Sequence, residues 1–434
     1  MSNRGCPACH ELFTRILSVT APVLLAWITA ALLAQIALGA GFALWRRGRA
    51  VAPAPAQEAA EAPPPATGAW AGWRAFRVAR RVLEDPQGTQ CSFHLEPVDG
   101  VALLPFKPGQ FLTFQLQVND PAASTPGGTR TLTRCYSLSD GPDPAGFRVT
   151  IKRVPAPSGQ PDLPAGASSG HFHDQVQEGS VLQVRAPSGH FFIDPDPAVP
   201  AVLIGGGIGI TPMMSMLRWC LAEQPGRTLH LYYGLRNSGE HAFKQTLEAL
   251  AAAHPNFHLN VVYSRPGPDD VAGRDYQHTG HVEVDLLRRT LPHGRHQFYV
   301  CGPPPMMETL VPSLARWGVA AQDIHHEAFG PASVRSAQAV AKSVQVHLEA
   351  PVEVRFQRSG RTLVWDGQDA NLLDFAERHG VNVDSGCRSG GCGSCQTRLR
   401  SGTVHYAEKP DHDVAPGHCL LCVGTPASAL VMEA

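Results

Sequence analysis

The chain has 434 residues, room for two or three domains at about 150 residues each. Hydrophobic residues make up 43% and charged residues 17%, a balance that excludes a disordered chain. The net charge is −1 and there is no basic run, so nothing favours a nucleic-acid partner. The eleven cysteines crowd locally, five of them between Cys387 and Cys422 and two at Cys6 and Cys9. A disulfide framework spreads its cysteines through a short secreted chain, so the crowding points to a metal.

After a short segment, 1–21, no residue from Pro22 to Trp45 is charged. These 24 residues would span about 36 Å as a helix, and the run predicts a transmembrane helix over 22–45, with membrane lipid as a partner. Trp27 and Trp45 fall towards its two ends. A buried helix or a cleaved signal peptide are the alternatives, but the stretch exceeds a usual signal core and runs into Arg46-Arg47. Arg46, Arg47 and Arg49 outweigh Arg4 and Arg15, which predicts a single-pass membrane protein with its catalytic domains on the cytoplasmic side. Residues 46–68 are rich in proline and alanine and read as a semi-rigid linker. Cys6-Pro-Ala-Cys9-His10 matches the haem attachment pattern C-x-x-C-H. Only five residues precede it, so chance or a redox- or metal-sensitive pair competes with haem.

Residues 69–197 read as short strands with Gly/Pro/Asp turns, among them 111–118, 147–154 and 180–187. That pattern predicts an antiparallel β-barrel. Over 198–330 the rhythm changes to apolar runs (AVLIGG, LHLYYG, LNVVYS, HQFYVCG), each followed by a helix-like stretch, which predicts an α/β domain with a parallel sheet. Residues 331–343 are a second linker. Residues 344–434 open with the strand-like VQVHLE and VEVRFQ, then a helix-like NLLDFAERHG, then the cysteines, as an α+β domain. The chain is thus multidomain.

Cys387, Cys392 and Cys395 give C-x4-C-x2-C, with Cys419 and Cys422 further on. A loop around one edge of a [2Fe–2S] cluster must present three thiolates and a distant fourth. Gly386, Gly390, Gly391 and Gly393 allow close backbone approach there. Zinc on Cys392/Cys395 and Cys419/Cys422 is the rival, but it leaves Cys387 and the glycines unexplained. Spacing and glycines resemble the plant-type ferredoxin domain, β-grasp-like in fold. The resemblance implies Cys387, Cys392, Cys395 and Cys422 as metal ligands, because Leu420-Leu421-Cys422-Val423 matches the family string better than Cys419 does.

Four further motifs, in order, resemble the ferredoxin–NADP reductase superfamily across about 70–330. They are Arg134-Cys135-Tyr136-Ser137-Leu138-Ser139, Gly205-Gly206-Gly207-Ile208-Gly209-Ile210-Thr211-Pro212, Tyr299-Val300-Cys301-Gly302-Pro303-Pro304 and Glu327-Ala328-Phe329-Gly330. The resemblance implies a flavin-binding barrel and a nicotinamide-binding α/β domain. Arg134 would pair with flavin phosphate, Tyr136 lie against the flavin ring and Ser137 reach its N5 region. Ser139 and, in a looser second motif, Ser169 would also bind flavin. The Gly205–Pro212 turn would hold a diphosphate at a helix N-terminus. Cys301, Gly302 and Pro303 would lie beside the nicotinamide, with Glu327 and Phe329 closing the site. His171 and His173 read as structural. Ser264, Arg265 and Tyr276 resemble an NADPH-binding string; the arginine favours NADPH and NADH stays open.

The expected cofactors are FAD, with FMN as the alternative, a [2Fe–2S] cluster, and NADPH or NADH as donor. The expected function is a membrane-tethered NAD(P)H-dependent flavin/iron–sulfur reductase, with Tyr136, Ser137, Cys301 and Glu327 at the hydride-transfer site. Its unidentified protein acceptor would be an oxygenase, a hybrid-cluster protein or a haem protein. A membrane-assembled electron-transfer subunit is the alternative.

Overall fold

The computed structural model describes residues 70, 72–119, 128–156, 165–329, 352–388, 390–407, 410 and 412–434, together with Ala26, Thr29, Ala30 and Gln35. The Cys6/Cys9/His10 motif, both linkers, the strand expected at 344–349 and most of 22–45 lie outside the described residues. The chain divides into two units, Met1–Pro64 and Pro65–Ala434.

The expected transmembrane helix is corrected. Among the described residues no helix is long and apolar enough to cross a membrane. The longest helices there have 14 residues, about 21 Å at 1.5 Å per residue, whereas a bilayer core needs about 20 residues. The single-pass localisation, its cytoplasmic orientation and the lipid partner rested on that helix and fall with it.

The first sheet contains β1 (Arg74–Leu83), β2 (Gln90–Pro97), β3 (Phe111–Asn119), β4 (Thr129–Ser137), β5 (Phe147–Lys152) and β6 (Val181–Ser188). Its order is β4-β3-β6-β1-β2-β5, antiparallel throughout. A bridge between Leu138 and Val149 joins the two outer strands, so the sheet closes into the expected barrel. Alternate residues point inward, and Phe76, Phe93, Phe114, Val149, Phe172 and Val184 fill the interior. Helix α1 (Ala167–Asp174) lies between β5 and β6 in the chain.

The second sheet is parallel, with order β10-β9-β8-β7-β11-β12. Its strands are β7 (Ala201–Gly206), β8 (Leu229–Leu235), β9 (Phe257–Tyr263), β10 (His278–Thr279), β11 (Gln297–Gly302) and β12 (Ile324–Ala328). Helices α2 (Ile210–Glu223), α3 (Lys244–Ala253), α4 (Val284–Thr290) and α5 (Pro304–Trp317) supply the crossovers. β7 is a fully apolar run and β8, β9 and β11 are largely apolar because both faces are covered, one by Met213 and Leu217 of α2 and the other by Leu287, Met307 and Leu314. Arg227 is buried and ties the segment between β6 and β7 to this sheet through the Val199 and Asp194 carbonyls at 3.0 and 2.8 Å and Gln297 Oε1 at 2.7 Å.

The third domain has β13 (Val352–Phe356), β14 (Arg361–Trp365), α6 (Leu372–Arg378), β15 (Gln396–Ser401), β16 (Val404–Tyr406), β17 (His418–Leu420), β18 (Gly424–Pro426) and β19 (Leu430–Met432). The main sheet runs β14-β13-β19-β15-β17, with the N-terminal hairpin parallel to the last strand. α6 packs Leu372, Leu373, Phe375 and Ala376 into its core, and Asn371 caps it by accepting from the Asp374 amide at 2.9 Å.

Candidate redox centre

Four thiols of the third domain, Cys387, Cys392, Cys395 and Cys422, sit on a loop between α6 and β15 and on the turn after β17. Main-chain N–H groups point at sulfur here. Cys387 N donates to Cys392 Sγ at 3.2 Å, Gly391 N and Cys392 N donate to Cys387 Sγ at 3.3 Å each, and Cys422 N donates to Cys395 Sγ at 3.5 Å. The thiols therefore pair as Cys387/Cys392 and Cys395/Cys422. Among the described residues no three His, Cys, Asp or Glu side chains converge as a single-ion site would require. Two pairs suit two irons, each taking two thiolates. The loop is also kept open for sulfur: a Cβ on Gly386 would lie 2.8 Å from Cys392 Sγ. These residues fit a [2Fe–2S] cluster. Cys419 stands apart on β17, opposite Thr397, and burial pushes its thiol up to about 12.

Arg388 in this loop adopts φ 56, a left-handed conformation costly for a side-chain-bearing residue. Asp374, at 3.2 Å from Nη1, and Glu377 of α6 hold its guanidinium. No motif in the chain marks this clamp.

On β4 the motif residues separate. The Tyr136 ring turns into the barrel against Phe114 and Phe172, and its hydroxyl pairs with Ser168 Oγ at 2.7 Å, not with Ser169. Burial pushes the phenol up to about 12. Arg134 is half-buried, and Nη1 donates to the Thr133 and Ser385 carbonyls at 2.7 and 3.1 Å. Among the described residues no carboxylate pairs with it, so its charge is available to a phosphate. Ser139 is elsewhere: its hydroxyl bonds Thr150 Oγ1 at 2.8 Å and the Arg148 carbonyl at 3.2 Å inside the barrel wall. Ser169 Oγ accepts from Val154 N and donates to the Gly166 carbonyl, both at 3.1 Å, organising its loop. His173 is structural, its Nε2 on the Ile151 carbonyl at 2.9 Å.

In the parallel sheet, β7 and β11 are neighbours where the strand order reverses, the place where such folds bind ligands. Gly205 pairs with Cys301 in register. The turn after β7 presses on the end of β11: a Cβ on Gly209 would lie 2.1 Å from the Cys301 carbonyl oxygen. Thr211 Oγ1 bonds the Ile208 carbonyl at 3.0 Å and Pro212 lies in the first turn of α2. Gly206 packs on the end of β11: a Cβ there would lie 2.8 Å from Pro303 Cδ and 3.3 Å from Gly302 Cα, while Gly207 has open space beside it. Glu327, opposite Cys301 on β12, is buried, hydrogen-bonded to Ser137, and has Oε2 without a partner. Burial, then the Cys387 thiol, pushes its carboxyl up to about 8. Burial also raises the Cys301 thiol well above its ordinary value. Phe329 packs on the adjoining core. An unpartnered buried oxygen beside a glycine-lined turn fits a bound flavin and nicotinamide.

Ser264 and Arg265 follow β9, their amides on the Leu235 and Arg236 carbonyls at 2.9 Å each. The Arg265 side chain is exposed, and Tyr276 stacks on Tyr263 at 5.0 Å. β9 stands three places from β11, the strand of Cys301, in the sheet order.

The barrel and the thiol loop meet directly, which the sequence did not disclose. Arg185 of β6 donates to the Cys392 carbonyl at 2.9 Å, and Cys135 bonds the Cys387 and Cys392 thiols. Cys135 occupies the variable position of the R-x-Y-S motif, so its only signal was a cysteine where any residue would serve.

A model of the oxidoreductase NAD-binding domain matches residues 203–311, and one of the 2Fe-2S iron-sulfur cluster binding domain matches 354–427. A flavohemoprotein of Bordetella pertussis is 38% identical over 268 residues, 62% of this chain and 63% of that protein. The chain thus spans less than two thirds of that relative. The flavohem-like FAD/NAD binding domain of nitric oxide dioxygenase from Vibrio cholerae is 30% identical, with TM-score 0.51, over 60% of this chain and all of that structure. An intact type IV self-sufficient cytochrome P450 monooxygenase shares the fold over 83% of this chain and 41% of its own, at 22% identity and TM-score 0.52. FAD, a [2Fe–2S] cluster and NAD(P)H are accordingly this chain's cofactors. The chain belongs to the ferredoxin–NADP reductase superfamily of oxidoreductases, with a [2Fe–2S] ferredoxin-type domain at its C-terminal side.

Proposed function

We propose that the chain draws electrons from NAD(P)H and delivers them, through flavin and cluster, to a separate protein of the oxygenase or haem class. FAD accepts a hydride from nicotinamide, and the cluster handles electrons one at a time, which is the chemistry these groups supply when bound. The protein positions and tunes them. Arg134 binds flavin phosphate, Tyr136 and Ser137 orient the ring, and the Gly205–Pro212 turn with the N-terminus of α2 holds the dinucleotide diphosphate. Cys301 fixes the nicotinamide face without acting as a nucleophile. Glu327 holds a proton beside Ser137. Arg265 reads the 2′-phosphate. Cys387, Cys392, Cys395 and Cys422 hold the cluster.

The observation that carries this reading is the meeting of the flavin motif and the thiol loop on one strand, β4. Electrons need no large domain motion to cross between them. The names of the relatives, flavohemoprotein and nitric oxide dioxygenase, support an acceptor that handles oxygen or haem.

The test is anaerobic titration of the full chain with NADH and with NADPH, following flavin and cluster absorption. The reading expects flavin bleaching followed by loss of cluster absorption and a one-electron EPR signal. Flavin that bleaches while the cluster stays oxidised overturns it.

A further inference from the structure

We propose that Cys135 is a positioning residue for electron entry, its thiol donating a hydrogen bond to the cluster sulfurs and thereby raising the cluster's affinity for an electron. The inference rests on the function proposed above.

The barrel wall builds this contact deliberately. Thr113 of β3 stands opposite Cys135 of β4 on one side and Arg185 of β6 on the other. The three residues form a row across adjacent strands on the outer barrel face. Each is engaged: Thr113 Oγ1 lies 3.4 Å from Cys135 Sγ, and Arg185 grips the Cys392 carbonyl at 2.9 Å while stacking on Trp73 at 4.5 Å. Arg134 adds the Ser385 carbonyl at 3.1 Å. The thiol loop is therefore held at both ends, residues 385 and 392, with Cys135 between them.

Gly386 marks the gap. A Cβ placed there would lie 2.8 Å from Cys392 Sγ and 3.4 Å from Cys135 Sγ, so the two sulfurs flank a position kept free of side chain. Cys135 is hydrogen-bonded to the Cys387 and Cys392 thiols. As cluster ligands those two are thiolates without a proton, so in either contact Cys135 is the donor, its single proton serving one sulfur at a time. A donor aimed at ligand sulfur stabilises the more negative, reduced centre and raises its potential. The step balances simply. One electron supplied by reduced flavin reaches the cluster, no bond is made or broken, and Cys135 keeps its proton. The competing reading is a cysteine that only fills space between two domains.

The test uses the full, cluster-loaded chain and compares wild type, Cys135→Ala and Cys135→Ser by EPR-monitored redox titration and by rapid mixing with NAD(P)H. Cys135→Ala is expected to lower the cluster's electron affinity tenfold, about 59 mV for one electron, and to slow flavin-to-cluster transfer. Cys135→Ser keeps an O–H donor and is expected to stay within about threefold of wild type. Equal potentials and EPR spectra in wild type and Cys135→Ala overturn the proposal while leaving the reductase reading intact. A wild-type chain without a [2Fe–2S] signal overturns both.

Discussion

Glu327 stands opposite Cys301 in the register of β11 and β12, and its carboxyl reaches across to the Ser137 hydroxyl of the barrel. One side chain thus links the two domains that carry flavin and nicotinamide. Its folded value of about 8 exceeds the ordinary 4.5, so the folded protein keeps a proton that the unfolded chain releases. The resulting stability is complete below the ordinary value and declines by about 1.4 kcal/mol per pH unit until the folded value is passed. Melting curves between pH 5 and 9 should show this decline in wild type and its absence in Glu327→Gln. Parallel curves for the two proteins would contradict it.

The ligand assignment separates two neighbouring cysteines. Cys422 N points at Cys395 Sγ, whereas Cys419 lies in β17 and pairs with Thr397 of β15. Cys422→Ser should abolish the cluster's visible absorption and iron content. Cys419→Ser should retain both, with a modest loss of stability of about 1 kcal/mol from an imperfect core replacement.

Gly209→Ala tests the nicotinamide turn through close approach alone, since the added methyl would meet the Cys301 carbonyl. Backbone must move to admit it, at a cost of about 1–3 kcal/mol. NAD(P)H affinity measured by flavin bleaching should fall at least tenfold, while flavin content stays unchanged.

Arg265→Ala bears on donor choice. Loss of a charge-assisted bond to a phosphate costs about 1.5–3 kcal/mol, so KM for NADPH should rise ten- to a hundredfold with that for NADH unmoved. An equal rise for both donors would remove Arg265 from the phosphate role.

Much of the architecture was legible because it follows from period. Val202 and Leu203 are both buried in a two-faced parallel sheet, and the unbroken apolar run said so. The barrel strand 111–118 was found within one residue of Phe111–Asn119 by its alternation. Single hydroxyls were less legible. Ser137 and Ser139 have the same parity on one strand end, yet the bridge at Leu138 turns Ser139 into the wall network with Arg148 and Thr150. Contacts between domains were not legible at all. Arg185 to Cys392 spans 207 residues, and no local pattern encodes a partner so distant. The apolar run at 22–45 was read from composition alone, and no described helix answers to it.

The arginines of the barrel hold the thiol loop by its peptide carbonyls, at Ser385 and Cys392, and not by its side chains. The dock therefore reads where the loop's backbone runs and is indifferent to which side chains the loop carries at those two positions.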